Sequence, residues 1–149
     1  MYKNLIEEAK NEGIEQGVVE TIIQNDSGKI LLIEDLEAER SLYGLPSADI
    51  MRGETIPQTL QRAITLQTAM QLKEVKTYLG HYDKNGVRHY HFVTEVKDPY
   101  SLEENTKIAY AWLNIEDTTG YPITDSLRDM LDLYAKLISI SKNKNTNSS

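Results

Sequence analysis

The sequence reads as one α/β domain, an α/β/α sandwich in which a mixed β-sheet lies between helices. Three observations carry that reading. Short runs rich in β-branched and aliphatic residues recur along the chain, at residues 18–24, 29–34 and 108–113. Asn85-Gly86 stands between two further β-rich runs, 76–82 and 87–96, which is a strong hairpin signal. In residues 125–139, Leu127, Met130, Leu131, Tyr134, Leu137 and Ile138 fall at helical spacing. Strands alternating with helices in this way give a sheet covered on both faces.

Residues 3–11 read as an amphipathic helix, with Leu5, Ile6 and Ala9 on one side. Asn25-Asp26-Ser27-Gly28 is a turn by composition and joins the first two strands. Residues 36–41 are acidic and irregular, and Tyr43-Gly44-Leu45-Pro46 starts a short extended piece. Pro57 suits the first turn of a helix, where its missing N–H costs nothing, and that helix is expected to run to about Leu72. Leu60, Ile64, Leu131 and Ile138 are the expected buried anchors. Residues 1–140 then form one domain, with 1–16 as N-terminal helix and lead-in. Residues 141–149 are polar Lys, Asn and Ser, and read as a disordered tail.

The chain has 149 residues, enough to bury a core without staples. It has no cysteine, which excludes disulfides, thiolate catalysis and cysteine-ligated zinc, and which fits a cytoplasmic location. Its longest aliphatic run, Ile30-Leu31-Leu32-Ile33, is far too short to span a bilayer, and no secretory leader is apparent. A net charge of −7 argues against broad nucleic-acid or anionic-membrane binding. A small phosphorylated ligand is compatible with it, because local charge decides there. A homodimer is also compatible with the sequence.

Leu45-Pro46, then Gly53-Glu54, then a helix carrying Arg62 with seven residues between Glu54 and Arg62, resembles the Nudix box G-x5-E-x7-R-E-U-x-E-E-x-G-U. The resemblance covers roughly residues 17–140. It implies a Nudix-type α/β/α sandwich, and an ion pair of Glu54 with Arg62 that ties the loop to the helix. It also places the family's three helical glutamates on Ala63, Leu66 and Gln67, and its two glycines on Ala48 and Ala69. Ile64 and Met70 keep the apolar positions. Residues 63, 66 and 67 share one face of a helix. Three carboxylates there would bind magnesium or manganese, which clamp a pyrophosphate and activate water. Alanine and leucine offer no oxygen, and glutamine offers a neutral one.

The reading is therefore a Nudix-fold protein without the catalytic glutamates. It would be a non-hydrolytic module that binds a nucleotide-like ligand, regulates, or binds a partner, with no cofactor expected. The alternative is a divergent hydrolase cleaving a nucleoside diphosphate linked to another moiety. Mg2+ or Mn2+ would then sit in a rearranged site. For that alternative, Glu54, Asp49 and the adjacent Glu103-Glu104 are the candidate acids. Under either reading, Arg52, Arg62 and Tyr43 are the candidate binding residues. His81, His89 and His91 form a transition-metal site only if the hairpin turn is bulged; a two-residue turn sends His81 to the other face. The expected role of that region is a polar sheet face with Tyr78, Tyr82 and Tyr90. Trp112 is expected in the core.

Overall fold

The computed structural model describes the backbone of residues 2–147 and the side chains of residues 2–140. The elements run α1 (Lys3–Asn11), β1 (Gln16–Gln24), β2 (Ile30–Asp35), β3 (Tyr43–Gly44), β4 (Ser47–Asp49), α2 (Ile56–Thr68), β5 (Leu72–Lys84), β6 (Val87–Val96), β7 (Ile108–Leu113) and α3 (Asp125–Asn147). The tail expected to be disordered begins at Ser141. It falls on residues whose side chains lie outside the described part, and Ser148 and Ser149 lie outside it altogether.

The sheet is mixed. β1 and β6 run parallel along their whole length, from Gln16↔Val87 to Gln24↔Glu95. The other pairings are antiparallel: β4 beside the start of β1, β5 beside β6, and β7 and β3 beside β2. β2 touches β1 only through Gln24↔Ile30. The turn that makes this possible is built by Asn25, whose side-chain oxygen accepts the N–H groups of Ser27 and Lys29, both at 3.0 Å.

Both faces of the sheet are covered, and side-chain alternation decides which residue goes where. Ile22, Ile30, Leu32 and Val93 pack against Leu127, Leu131 and Tyr134 of α3. Their neighbours Ile23, Leu31 and Ile33 pack on the opposite face with Ile64 of α2 and with partly buried Trp112. Val19, Tyr90 and Phe92 on that same face meet Ile56 and Leu60 of α2 and Leu5 and Ile6 of α1. Of the expected anchors, Leu60, Ile64 and Leu131 are fully buried and Ile138 is partly so.

Two turns were readable and one was not. Asn85 and Gly86 both have positive φ, 54° and 77°, and Lys84 pairs with Val87, so the hairpin closes on a two-residue turn. β5 has thirteen residues to the ten of β6, and three register irregularities absorb the difference. The expected end of α2 was four residues too late. Thr55 caps its start, reciprocally with Gln58, but the helix stops at Thr68 because Ala69 turns left-handed at φ 64°. Periodicity alone carried the helix into Leu72, which is instead the first residue of β5.

A left-handed alanine carries a steric cost that glycine does not. Ala69 is exposed. Ala69→Gly is therefore expected to stabilise the fold by about 0.5–1 kcal/mol, the relieved strain outweighing the greater freedom of the unfolded chain. A urea midpoint that falls on this substitution would contradict the assignment of strain.

Candidate functional site

The loop between β4 and α2 is held by one carboxylate. Glu54 Oε2 accepts Arg62 Nε at 3.0 Å, and Glu54 Oε1 accepts Arg62 Nη2 at 2.9 Å, the two-pronged geometry of a guanidinium on a carboxylate. Oε1 also accepts the Thr59 hydroxyl at 2.8 Å and the Met51 N–H at 3.1 Å. Arg62 Nη2 donates further to the backbone carbonyl of Asp49. The Arg62 hydrogen bond holds the Glu54 carboxyl down at about 2, against the opposing pull of burial. The expected pair is thus present, and both partners are committed to the scaffold.

That clamp sets the rotation of α2, and the rotation separates the three positions of interest. Ala63 is buried, 1% exposed, while Leu66 is 69% exposed. Gln67 is half-buried, and its side-chain oxygen accepts the Ser47 N–H at 2.7 Å. The single apolar face expected from sequence spacing is therefore three different environments: a core contact, a solvent-facing leucine and an amide tied to β4. None offers an anionic oxygen, so this donor set does not fit a hard dication.

The other candidates are dispersed. Glu103 and Glu104 are exposed, in a loop that docks on the end of α2 through Glu103 N–H to Thr68 O at 3.0 Å. Beside it the Tyr110 hydroxyl donates to Gln67 O at 2.6 Å. Burial, with a smaller contribution from the charge of Glu104, raises the Tyr110 pKa. The Asp49 side chain is turned to solvent at the mouth of a cleft of about 560 Å³, shared with Gly17, Val18, Lys84, Asn85 and His89. Arg52 lines a different cleft, of about 280 Å³, under α1. Tyr43 packs edge-on against Tyr121 at 5.0 Å, and burial raises its pKa with help from Glu34. Arg52 shares its cleft with Glu54, the partner of Arg62, whereas Tyr43 is not among the residues that line it.

The two-residue hairpin turn puts His81 opposite Tyr90, and the Tyr78 hydroxyl lies 3.0 Å from its Nδ1. His89 and His91 face the other way. Tyr82 goes with them, stacked on His89 at 4.8 Å, so Tyr82 does not share a face with Tyr78 and Tyr90 as expected. Among the described residues, no three His, Asp or Glu side chains are grouped to hold a metal ion.

What the sequence reading missed is Glu20. It lies on β1 between Val18 and Ile22, on the α3 face of the sheet, and its Oε2 is 2.5 Å from Nε2 of fully buried His91 and 4.0 Å from Nδ1 of His89. Burial raises the pKa of Tyr82, as does the charge of Glu20, while a hydrogen bond with Ser126 of α3 lowers it. The signal was available: an acid at every-other-residue spacing within an apolar strand face is either paired or functional. A second missed network is Arg88, 3% exposed, which forks onto Asp83 at 2.8 and 3.0 Å and reaches Glu12 at 2.6 Å, pinning the end of α1 to the hairpin.

A helix-flanked mixed sheet with this loop–helix clamp is the Nudix architecture, and the chain has the Nudix fold. MutT, described from Aliivibrio salmonicida and Vibrio cholerae, superposes with a TM-score of 0.72 at 14% identity, over 81% of this chain and 98% of that one. The E. coli ORF135 protein gives 0.68 at 22% identity over 84% and 91%. A Nudix hydrolase from Nitrosomonas europaea gives 0.66 at 20% identity over 81% and 88%. No sequence family and no curated protein matches the chain. At these identities the likeness is one of fold.

The Glu54 carboxyl lies below its ordinary value of 4.5, so the unfolded chain binds the proton first as the pH falls. The pair's contribution is complete above about 4.5 and is lost as the pH drops towards about 2. Glu54→Gln is expected to cost about 1–2 kcal/mol at neutral pH, for a clamp that is partly exposed but multiply hydrogen-bonded. The deficit should shrink across that acid window. A deficit independent of pH, measured by denaturant titration at several pH values, would show that charge is not what holds the loop.

Proposed function

We propose that this protein is a non-hydrolytic Nudix-fold module of the cytoplasm that binds a small phosphorylated or nucleotide-like ligand. The observation that carries the reading is the state of α2: Ala63 in the core, Leu66 in solvent and Gln67 engaged with Ser47. A pyrophosphatase of this architecture needs a dication, and the dication needs several anionic oxygens to repay its dehydration. Glu54, the one carboxylate kept at a box position, is neutralised by Arg62. The cleft beside Asp49, Lys84 and His89 supports ligand binding, because it is roomy and is lined by His89, whose buried Nδ1 lacks a hydrogen-bond partner.

A rearranged hydrolytic site has one observation in its favour, the docking of the Glu103–Glu104 loop on the end of α2. Titration calorimetry with magnesium and manganese separates the two readings. The expected result is no tight binding, with very slow or no turnover of nucleotide sugars, dinucleotides and nucleoside triphosphates. Magnesium-dependent turnover that is lost in Glu103→Gln or Glu104→Gln would overturn the non-hydrolytic reading. Restoring acids at all three positions would be a poor test, since Ala63→Glu buries a charge. Leu66→Glu with Gln67→Glu leaves the core intact and should raise magnesium affinity. A nucleoside diphosphate that binds the folded chain should also raise its melting temperature, by the equivalent of about 2.7 kcal/mol at a hundredfold excess over Kd. A panel without any such shift would remove the ligand part of the proposal.

A further inference from the structure

α3 carries two apolar stripes, and the sheet uses only one. Leu127, Leu131 and Tyr134 face the core. About 100° round the helix, at 100° per residue, run Met130, Leu133, Leu137 and Ile140, spaced three, four and three residues apart. Leu133, Leu137 and Ile140 are 38%, 38% and 52% exposed, which makes them three of the seven large apolar side chains exposed among the described residues. The helix continues through Asn147, so residues 141–147 lead onward along its axis and do not fold back over the stripe.

We propose that this stripe pairs with the same stripe of a second copy of the chain, antiparallel, about a two-fold axis beside Leu133. The charges flanking the stripe select the arrangement. Asp129 and Lys136 are both exposed, lie seven residues apart on its solvent edge, and take part in no ion pair among the described residues. An axis beside Leu133 sets Leu133 against its own copy and Met130 against Leu137 of the second copy. The same axis sets Asp129 against Lys136 twice, each match holding to within about one residue rise of 1.5 Å. A parallel, in-register pair would instead face aspartate with aspartate and lysine with lysine. Self-complementary two-fold contacts of this kind are the commonest way identical chains associate. The surface is small: one face of a helix about 34 Å long falls below the ~800 Å² per partner of a standard interface, so the dimer is weak and concentration-dependent.

Sedimentation equilibrium of the full chain over a micromolar-to-millimolar series tests this. The mass should rise from the 17.0 kDa of one chain towards twice that value. Leu133→Glu should hold it at one chain without lowering the melting temperature of a dilute sample. Lys136→Glu, which faces Asp129 with a like charge on both sides of the axis, should weaken association about tenfold or more. Adding Asp129→Lys to Lys136→Glu should restore it. If Leu133→Glu fails to fold, the charge exchange at these two surface positions decides alone. A chain of single mass at every concentration, a Leu133→Glu variant that associates like the parent, or a double exchange no tighter than Lys136→Glu would overturn the proposal. None of these outcomes depends on ligand binding or on the non-hydrolytic reading.

Discussion

β1 is buried from both sides, and much of the structure depends on that. Its partner β6 runs parallel to it for nine residues, from Gln16↔Val87 to Gln24↔Glu95, and two parallel neighbours cannot be joined by a tight turn. The chain between them must leave the sheet and return, and it does so through α2, between β4 and β5. Because Ile22 and Ile23 are both fully buried on opposite faces, helices are needed on each side. α1 and α2 cover one face and α3 the other. The order of elements thus follows from one strand having no exposed side.

Within that frame the Glu54–Arg62 clamp decides the chemistry that α2 can present. The clamp ties the loop to the helix while Ile64 and Leu60 pack the helix on the sheet, and together they set which side of α2 faces inward. Ala63 then points into the core and Leu66 out of it. A helix surface that spacing alone treats as one face has its members sorted by what the sheet touches. Leu66 has no packing role in the described structure that would explain a leucine 69% exposed.

Polar groups inside the sheet are handled unequally. Thr21 and Thr94 share a hydrogen bond of 2.7 Å on the α2 face, and Arg88 has three hydrogen bonds to two acids. His91 is fully buried with Nδ1 unpartnered and with only Glu20 near Nε2. Unmatched polar atoms at depth cost stability, and they are retained where something else uses them. They lie on the α3 face, where Tyr82 stacks on His89 and tilts against His91.

The strands, their main hairpin and the three helices are legible in the sequence, and its resemblance to the Nudix box implies the Glu54–Arg62 pair. The strands, hairpin and helices rest on local rules: β-rich runs such as 87–96, Asn85-Gly86 between two of them, and apolar spacing along α3. The tertiary structure alone decided the rest. The end of α2 at Ala69 depends on where β5 must begin, which no helical periodicity contains. Whether Ala63, Leu66 and Gln67 face one environment or three depends on the angle at which α2 meets the sheet. Glu20 lies far from His89 and His91 in sequence, and only the parallel pairing of β1 with β6 sets Glu20 opposite His91. Local propensity is written in neighbouring residues. A site is made by distant ones, and their meeting is fixed by packing.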